Sequence, residues 1–460
     1  MKILILSCNT GEGHNAAGHA VEEAALARGH EVNFVDAMQL GKRHTSRLIS
    51  GLYIGIVKHL PWFFGFIYKL GMLISNRHFK SPVYWANAKL AKPLASLIEE
   101  GNYDIVVMPH LYPAETITYM KKHNMLPVKA VAIGTDYTCI PFWEETNCDY
   151  YVIPHEDLVD EYIKRGVPKE KLLPYGIPVR HAFANHTPKD IARRKCHLDA
   201  DAPTFLIMSG SMGFGKLAVF AMALYKQCKN DEHIVIICGN NKKLQSVLTK
   251  EFRHCPRVHV LGYTRHVSLY MDACDVIFTK PGGLTSTETL VKGIPTIHTA
   301  PIPGCETANS AFFVDRGISY ASKYMIEQIR LGKLLMRSHD LQEEMHTAQL
   351  REQKSDAAER IVDLLESPVY RKEKEPLYEP VNYHLHLFFH RRLSQRQHTL
   401  CLLDSEDIIP ERYLCIKSGW KSRHCQCLCV RRIPGWYSCA PFGTFQGLFP
   451  GCTRPTDIGY

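Results

Sequence analysis

The feature that most constrains the fold of this chain is an alternation of short apolar runs with helical stretches, which occurs in two successive series. Such alternation is typical of parallel sheets covered by helices on both faces. The first series predicts strands at 2–6, 31–35, 104–108, 129–133 and 150–153. The second series predicts strands at 204–208, 233–237, 257–260, 275–278 and 296–298. We therefore predict an α/β protein in which two Rossmann-like, doubly wound domains face each other across a cleft.

The chain is long enough for two domains, because it has 460 residues of which 45% are hydrophobic. We predict an N-terminal domain over 1–180 and a C-terminal domain over 204–345, joined by a polar, helix-poor linker over 181–203. A C-terminal helix is predicted over 346–370. Residues 371–460 form an atypical Cys-rich tail that we expect to be poorly ordered.

The charge of the chain favours an anionic partner. Lys and Arg number 55 against 46 Asp and Glu, which gives a net charge of +9. This excess suits a phosphate-bearing ligand or an acidic lipid surface. No nucleic-acid-binding module is recognisable, so we expect no nucleic-acid partner. The first residues enter a predicted strand and show no signal-peptide pattern, which favours the cytoplasm. The sequence leaves the oligomeric state open.

The first glycine loop, SCNTGEGHNAAG at 7–18, joins a predicted strand to a predicted helix. Free backbone N–H groups and the helix dipole make such a junction an anion site. Gly11, Gly13 and Ala16 also satisfy the dinucleotide-binding fingerprint, and Asp36 stands where a ribose-binding acid is expected. Because a single match of this kind is weak, phosphate binding and a dinucleotide site both remain open from these residues.

The second glycine loop, GSMGFGK at 210–216, fits the first part of a P-loop. Leu217 follows it where Ser or Thr would hold magnesium, so nucleotide hydrolysis is disfavoured. We interpret the loop as a phosphate cradle, with a ligand-free turn as the alternative. Its candidate binding residues are Ser211, Gly213 and Gly215.

The segment KPGGLTSTETLVKGIPT, which begins at residue 280, follows a predicted strand and leads into a helix. Bare amides and hydroxyl groups are thereby presented to an anion at the carboxyl edge of the sheet. A glutamate one turn into the helix is placed to accept hydrogen bonds from two ribose hydroxyls, and a lysine adds positive charge. The candidate ligand-binding residues are Lys280, Gly282, Gly283, Thr285, Ser286 and Glu288.

The motifs together resemble a known family. PGGLTSTE, KGIPTI, PIPGCETAN and FFVDRG resemble the donor half of glycosyltransferase family 28, which has the GT-B fold. SCNTGEGHNAAG, MPHLYPAE and AIGTDYTCIPFWE are similar to the branch of monogalactosyldiacylglycerol synthases and processive diacylglycerol glucosyltransferases. The resemblance extends from residue 1 to about residue 366. It implies an inverting hexosyltransferase that uses UDP-glucose or UDP-galactose, needs no cofactor, and transfers to diacylglycerol or glycosyl-diacylglycerol.

The resemblance also implies roles for the first loop, which lies on the acceptor side of the cleft in this branch. Gly11 and Gly13 then let the backbone approach the substrates, and His14 lies where the acceptor hydroxyl must lose its proton. Imidazole suits this task because its ordinary pKa is close to the working pH. A positioning or capping role for His14 is the alternative. Asp136 in GTDYT is the second candidate, either as the group that orients His14 or as the base.

On the donor side, the resemblance places the diphosphate of UDP over 211–215 and 285–286. Glu306 and Asn309 are expected to bind sugar hydroxyls, although Cys305 stands where the family usually has glutamine. Asp199-Ala-Asp201 matches a metal-binding DxD pattern, but it lies in the predicted linker and is better interpreted as a polar turn. No metal ligand is therefore predicted.

An apolar, aromatic stretch over 48–74 suits contact with a lipid surface. Charged residues and a proline interrupt every window long enough to span a bilayer. We predict a pair of interfacial helices on an anionic membrane, and so a peripheral protein on the cytoplasmic face, with a buried helical hairpin as the alternative. The side chains expected at the depth of the headgroups are Trp62, Phe63, Phe64 and Tyr68.

Two other functions remain open. The first is a lipid-linked N-acetylglucosamine transferase of the peptidoglycan type, an enzyme whose two halves look similar to those of this chain. A protein that binds UDP-sugars and reports their level without catalysis would also carry the donor motifs.

Overall fold

The computed structural model describes residues 1–8, 12–41, 61–74, 80–208, 217–228, 231–367 and four short strands of the tail. The chain divides into two compact units, Met1–Glu373 and Lys374–Tyr460. The strands of the second unit form two antiparallel hairpins, which pair His398–Leu403 with Tyr413–Ser418 and Val430–Ile433 with Trp436–Cys439. The expected poor order of the remaining tail stays a prediction.

The first half of the larger unit contains a parallel sheet of six strands in the order β2-β1-β3-β4-β5-β6. The strands are β1 (Lys2–Ser7), β2 (Glu31–Asp36), β3 (Ile105–Met108), β4 (Lys129–Ile133), β5 (Tyr150–Val152) and β6 (Leu172–Leu173). The described helices are α1 (Glu12–Ala27), α2 (Pro61–Ile74), α3 (Pro82–Ala88), α4 (Ala91–Gly101), α5 (Leu111–Lys122) and α6 (Val159–Lys164).

The second half contains another parallel sheet of six strands, in the order β12-β11-β10-β7-β8-β9. The strands are β7 (Thr204–Met208), β8 (His233–Ile237), β9 (Val258–Leu261), β10 (Val276–Thr279), β11 (Thr296–His298) and β12 (Tyr320–Ala321). Between the halves lie α7 (His181–Ala184) and α8 (Lys189–Lys195). The other helices are α9 (Leu217–Gln227), α10 (Lys242–Glu251), α11 (Val267–Ala273), α12 (Gly283–Lys292), α13 (Cys305–Asp315), α14 (Met325–Arg337), α15 (His339–Glu352) and α16 (Ala357–Glu366).

These elements confirm the predicted α/β fold with two doubly wound sheets. The central strands are buried on both faces, as the fully buried run Ile3–Leu6 illustrates, and this explains their continuous apolar sequence. The predicted strands agree with the observed ones to within one or two residues at each end. The two-residue edge strands β6 and β12 were not predicted, because they are too short to show a periodic pattern.

The strand orders place a ligand-binding position in each half. In doubly wound sheets, ligands bind beyond the carboxyl ends of the strands where the strand order reverses. The order reverses between β1 and β3 in the first half and between β7 and β10 in the second. The loops at these positions are those before α1 and α5, and those before α9 and α12.

The prediction of a helix-poor linker over 181–203 was wrong, because this segment contains α7 and α8. It is also bound to the second half: the Arg193 guanidinium donates to Asp275 at 2.6 Å, and the Ser268 hydroxyl donates to the Ala182 carbonyl at 2.5 Å. Arg193 is buried. Its guanidinium forms hydrogen bonds with buried carbonyl groups and a carboxylate. The polar segment therefore has a structural role that its composition does not reveal.

The last helix of the larger unit, α16, returns to the first half. Its fully buried residues Ile361, Val362 and Leu365 belong to the core cluster of β1 and α1. At its end, Glu366 accepts hydrogen bonds from Arg28 at 3.0 Å and from His30 at 2.8 Å. The preceding helix α15 packs instead on the second half, through buried Met345. The chain therefore crosses between the halves twice.

Candidate active site

The strand reversal of the first half brings together α1 and the loop that follows β3. His14 stands in the first turn of α1, and its Nδ1 lies 3.0 Å from the Pro109 carbonyl oxygen. The Thr135 hydroxyl, just beyond β4, lies 2.9 Å from the same nitrogen. The His110 ring contacts the His14 ring edge to face at 4.4 Å between centroids. Three strand ends therefore converge on one imidazole.

The contact with Pro109 favours one tautomer of His14. A carbonyl oxygen only accepts hydrogen bonds, so this contact favours a proton on Nδ1, which donates to Pro109. In the neutral ring, Nε2 then holds the lone pair. Within the described part of the chain, Nε2 makes no hydrogen bond. His14 is thereby prepared to accept a proton at Nε2.

The electrostatic surroundings keep His14 neutral. Burial lowers the pKa of His14, while the nearby charge of Asp136 and the hydrogen bond to Pro109 act in the opposite direction. Burial also holds the pKa of the neighbouring His110 well below its usual range. Two neutral imidazoles in contact avoid the repulsion that two imidazolium ions would suffer.

Asp136 lies beside this group but does not orient His14 through a hydrogen bond. Among the described residues, its Oδ1 accepts a hydrogen bond from Nδ2 of Asn309 at 2.9 Å. The expectation that Asp136 orients His14 is corrected, because Pro109 and Thr135 occupy Nδ1 instead. Asp136 influences His14 only through its charge. Its alternative role as the base stays a prediction.

The strand reversal of the second half presents the N-terminus of α12. Gly282 is the N-cap, and the first helical hydrogen bond runs from the Ser286 amide to the Gly282 carbonyl at 2.9 Å. The amides of Gly283, Leu284 and Thr285 precede that bond, so the helix itself does not satisfy them. Thr285 is half-buried. This terminus has the properties of an anion site.

Gly283 is also one of the residues at which the two halves contact each other. A Cβ atom added to Gly283 would lie 1.9 Å from the carbonyl oxygen of Thr135 in the first half. Likewise, a Cβ added to Gly13 would lie 3.7 Å from Cβ of Leu284. The N-termini of α1 and α12 therefore meet across the cleft, which brings the surroundings of His14 next to the predicted anion site.

Ser286 does not have its predicted role at the anion site. It is fully buried, and its hydroxyl lies 3.1 Å from Nε2 of His298 at the end of β11. The prediction failed because helical periodicity places Ser286 on the side of α12 that packs against the sheet. Burial lowers the pKa of His298 to about 3, and Ser319 contacts its other nitrogen at 3.2 Å. Ser286 therefore stabilises the packing of α12 against the sheet through its contact with His298.

Glu288 is buried but has no hydrogen-bond partner for its carboxyl group within the described part of the chain. It is 8% exposed. Burial raises its pKa to about 8, and the charge of Arg180 partly opposes this. A buried carboxyl group without a protein partner is costly unless a ligand completes it. This environment is consistent with the predicted contact to ribose hydroxyls.

Lys280 and Glu306 form an ion pair on the donor side of the cleft. The Lys280 ammonium lies 3.2 Å from the Glu306 carboxylate, which also accepts the Ile302 amide at 2.6 Å. Burial lowers the pKa of Lys280 and raises that of Glu306, and each partner opposes the shift of the other. The predicted roles of Lys280 at the diphosphate and of Glu306 at the sugar stay predictions.

Asn309 was expected to bind a sugar hydroxyl, but the structure engages its amide in protein contacts. It is fully buried. Its Nδ2 donates to Asp136 at 2.9 Å and to the Pro281 carbonyl at 3.0 Å, and its Oδ1 accepts the Tyr137 amide at 2.6 Å. We therefore correct the assignment, because these bonds use both amide protons of the side chain and a lone pair of its oxygen.

Four candidate residues lie outside the described part of the chain, and their roles stay predictions: Gly11, Ser211, Gly213 and Gly215. The helices that follow these loops start at Glu12 and Leu217. Asp199 and Asp201 form an exposed turn in which the Asp199 carboxylate accepts the Asp201 amide at 3.0 Å. This turn lies at the amino end of β7, whereas both loops of the candidate site lie at carboxyl ends.

Helix α2 contacts the second half with one side and is exposed on the other. A Cβ added to Gly65 would lie 2.8 Å from Pro303, and one added to Gly304 would lie 2.9 Å from the ring of Tyr68. Tyr68 was predicted to face lipid, which was wrong, because its ring covers Gly304 and burial raises its pKa. On the outer side, Phe66 is 58% and Leu70 45% exposed.

The rest of the predicted membrane segment is only partly described. The side chains of Trp62, Phe63 and Phe64 and the whole of 42–60 lie outside the described residues. No helix in the described ranges has the length and apolar character required to cross a bilayer. The same ranges contain no group of three or more His, Cys, Asp or Glu residues arranged to hold a metal ion.

The sequence analysis missed Pro109, Thr135 and Tyr137 as parts of the site. Pro109 lies in MPHLYPAE, a motif to which no role was assigned, and the other two flank the candidate Asp136 in GTDYT. Each follows a predicted strand. The rule that ligands bind where the strand order reverses would have directed attention to Pro109, had the strand order been known.

Comparisons with known proteins assign the two halves separately. The first half matches the monogalactosyldiacylglycerol (MGDG) synthase family over residues 14–179. The second half matches the glycosyltransferase family 28 C-terminal domain over residues 204–361. The matched ranges contain the strand ends that form the candidate site.

Two relatives carry related names. The processive diacylglycerol beta-glucosyltransferase of Staphylococcus saprophyticus is 31% identical over 241 residues, which cover 51% of this chain and 61% of the relative. The match to this relative thus spans less than two thirds of its length. The probable monogalactosyldiacylglycerol synthase 2, chloroplastic, of Oryza sativa is 28% identical over 338 residues, which cover 70% of both chains.

Solved structures confirm the fold. The glycotransferase of kitacinnamycin superposes with a TM-score of 0.55 at 14% identity, covering 79% of this chain and 98% of that chain. At this identity the likeness establishes the fold alone, which is the GT-B arrangement of two Rossmann-like domains. The two family matches show that the chain carries an MGDG synthase domain in its first half and a glycosyltransferase family 28 C-terminal domain in its second half.

Proposed function

We propose that this protein is an inverting glycosyltransferase that moves a hexose from a UDP-sugar to diacylglycerol or glycosyl-diacylglycerol. The observation that carries the proposal is the approach of the α12 N-terminus to the N-terminus of α1, at Leu284 and Gly13, and to the loop after β4, at Gly283 and Thr135. It sets a neutral imidazole, whose Nε2 has no hydrogen-bond partner among the described residues, opposite a helix N-terminus suited to a diphosphate. The names of the two relatives support the lipid acceptor and the hexose.

In the proposed reaction, the second half holds the donor. The diphosphate lies at the N-terminus of α12 near Lys280, and Glu288 accepts the ribose hydroxyls. The acceptor hydroxyl attacks the anomeric carbon from the face opposite the diphosphate, through an oxocarbenium-like state. The new carbon–oxygen bond forms as the bond to the diphosphate breaks. The hydroxyl proton passes to Nε2 of His14, and UDP leaves. Asp136 is retained as the alternative base.

The proposal requires no metal. The positive end of α12 and the ammonium group of Lys280 offset the charge that develops on the leaving diphosphate. Glu306 limits the net charge near Lys280, because the two form an ion pair at 3.2 Å. The aspartates of the DxD pattern lie at the opposite edge of the sheet, so they do not serve the site.

A transfer assay tests the function. Purified protein is incubated with labelled UDP-glucose, UDP-galactose or UDP-N-acetylglucosamine and vesicles of diacylglycerol, with and without EDTA. The proposal predicts a labelled glycolipid from one of the hexose donors, unaffected by EDTA. Transfer only to a polyprenyl-linked peptidoglycan precursor would favour the N-acetylglucosamine transferase. Tight UDP-sugar binding without transfer to any acceptor would favour a sensor.

A Glu288→Ala variant tests the donor site. Each charge-assisted hydrogen bond that is lost is worth about 1.5–3 kcal/mol, so UDP binding should weaken by about 10- to 150-fold per bond. Because burial raises the pKa of Glu288 to about 8, UDP binding that requires the carboxylate must release a proton. Affinity should therefore increase as the pH rises through about 8.

Isothermal titration with UDP measures both effects. Glu288→Gln is the matched control for charge: it keeps the shape of the side chain and should remove the pH dependence. Unchanged UDP affinity in both variants would exclude Glu288 from the nucleotide site.

We also propose that the outer side of α2 docks on an anionic membrane, which places the protein peripherally on the cytoplasmic face. Phe66 and Leu70 expose apolar surface one helical turn apart, and exposed Lys69 lies beside them. Apolar side chains flanking a lysine suit the boundary between acyl chains and acidic headgroups. The excess of basic residues in the chain supports the same surface.

Replacing Phe66 and Leu70 together by serine should lower binding to vesicles that contain acidic lipid by about tenfold or more, because apolar partitioning is lost. Vesicle co-sedimentation measures this effect, and the melting temperature should stay unchanged. Ile326→Ser is the matched control, since Ile326 is 73% exposed on α14 of the second half. Equal vesicle binding by all three proteins would show that α2 does not dock.

A further inference from the structure

The loop after β4 docks into the second half through Tyr137. The Tyr137 ring packs against Phe312 at 4.7 Å and against Phe313 at 4.9 Å between centroids. Its hydroxyl lies 2.9 Å from that of Thr287 on α12. The residue is 5% exposed. A side chain that belongs to the first sheet is thus buried between two helices of the second half, directly after Asp136.

Asn309 on α13 completes this connection. Its Oδ1 accepts the Tyr137 amide at 2.6 Å, and its Nδ2 donates to Asp136 at 2.9 Å and to the Pro281 carbonyl at 3.0 Å. Asp136 and Tyr137 belong to the first half, whereas Pro281 belongs to the loop before α12. One fully buried amide therefore joins the loop of the candidate base to the loop of the donor site.

We propose that Asn309 is a positioning residue that holds the two halves closed and fixes Asp136 relative to the donor. This inference rests on the proposed function, since it assigns the closed state to transfer. It replaces the expected sugar contact of Asn309. An amide suits the task because it offers donors to the carboxylate and the carbonyl, and an acceptor to the backbone amide.

The substitution Asn309→Asp distinguishes this role from others. The carboxylate keeps the acceptor for the Tyr137 amide but loses both donors, and it faces the carboxylate of Asp136. Two acids in contact, of which the one at position 309 is fully buried, share one proton, so closure then requires protonation. The protonation of this pair also depends on the other titratable groups that interact electrostatically with Asp136. These groups are His14, Tyr68, Tyr162, Cys305 and Glu306. Lys280 acts through its pair with Glu306.

The wild type should lose activity only toward acid pH, where His14 is protonated. Asn309→Asp should keep that acid limb and gain an alkaline limb, because the shared proton is lost as the pH rises. At the wild-type optimum, its kcat should be about 10- to 100-fold lower. Asn309→Leu should show a similar loss without the alkaline limb. Asn240→Asp, which adds the same charge at an exposed turn, should behave as wild type.

The experiment has three measurements on the full chain: the pH profile of kcat, the affinities for UDP and UDP-hexose, and the radius of gyration by small-angle scattering. The proposal predicts that the ratio of the UDP and UDP-hexose affinities stays at its wild-type value, and that the radius of Asn309→Asp is larger at alkaline than at acid pH. Selective loss of UDP-hexose affinity with a wild-type pH profile would instead assign Asn309 to the sugar. Wild-type kcat and radius in Asn309→Asp would also overturn the proposal. The scattering measurement stands even if the wild type shows no transfer, in which case the proposed function fails separately.

Discussion

A His14→Ala variant is expected to lose about 10²–10⁴ in kcat, which is the usual effect of removing a general base. UDP affinity should stay nearly unchanged, because the proposed nucleotide site lies on the other half. Wild-type kcat, measured at saturating UDP-hexose so that donor binding does not contribute, should fall at acid pH, since protonated Nε2 accepts no proton. Burial lowers the pKa of His14, so this limb should lie below the ordinary range of histidine. The variant should lack the limb.

The pH profiles of both proteins measure this prediction, with His19→Ala as the matched control. His19 is on the same helix, but it is exposed and paired with Glu22 at 2.6 Å. Near-normal turnover of His14→Ala together with an inactive Asp136→Asn would assign the base role to Asp136. If both variants match the wild type, neither residue is the base.

A Gly283→Ala variant should lose at least about 100-fold in kcat, because displacement of reacting groups by about 1 Å has effects of this size. The new Cβ would lie 1.9 Å from the Thr135 carbonyl oxygen, so the two halves could not approach as they do. The backbone of α12 accepts alanine, since position 283 is helical. The substitution should therefore block closure without unfolding the second half.

Three measurements on the Gly283→Ala variant test this expectation. Its kcat should fall, its UDP affinity should change by less than about threefold, which is under 1 kcal/mol, and its radius of gyration should exceed that of the wild type. Full activity with an unchanged radius would show that the contact between Gly283 and Thr135 is not needed for turnover.

The sheet positions were predictable because each central strand carries its own signal. Residues 3–6 and 205–208 are continuous apolar runs between polar turns, and burial on both faces of a parallel sheet requires this composition. The edge strands β6 and β12 have two residues each, so they show no periodicity. The position of Glu288 in a helix behind Gly282 was also predictable, whereas its contact with ribose stays a prediction.

The site residues that the sequence analysis assigned wrongly depend on contacts between distant segments. Asn309 and Asp136 are 173 positions apart, and no local pattern shows that their side chains meet. Ser286 faces His298, and Tyr68 covers Gly304, for the same reason. A motif shows that a residue lies at a strand end or a helix start. Which side of the helix packs on a neighbouring element follows only from the tertiary structure.

The configuration of the product tests the central claim most directly. Wild-type protein is incubated with a UDP-hexose and diacylglycerol, and the linkage of the purified glycolipid is determined by nuclear magnetic resonance. UDP-hexoses carry an α-linked sugar, so attack from the opposite face with His14 as base predicts a β-linked hexosyl-diacylglycerol and release of UDP. An α-linked product, or free hexose and UDP without any glycolipid, would contradict the proposed mechanism.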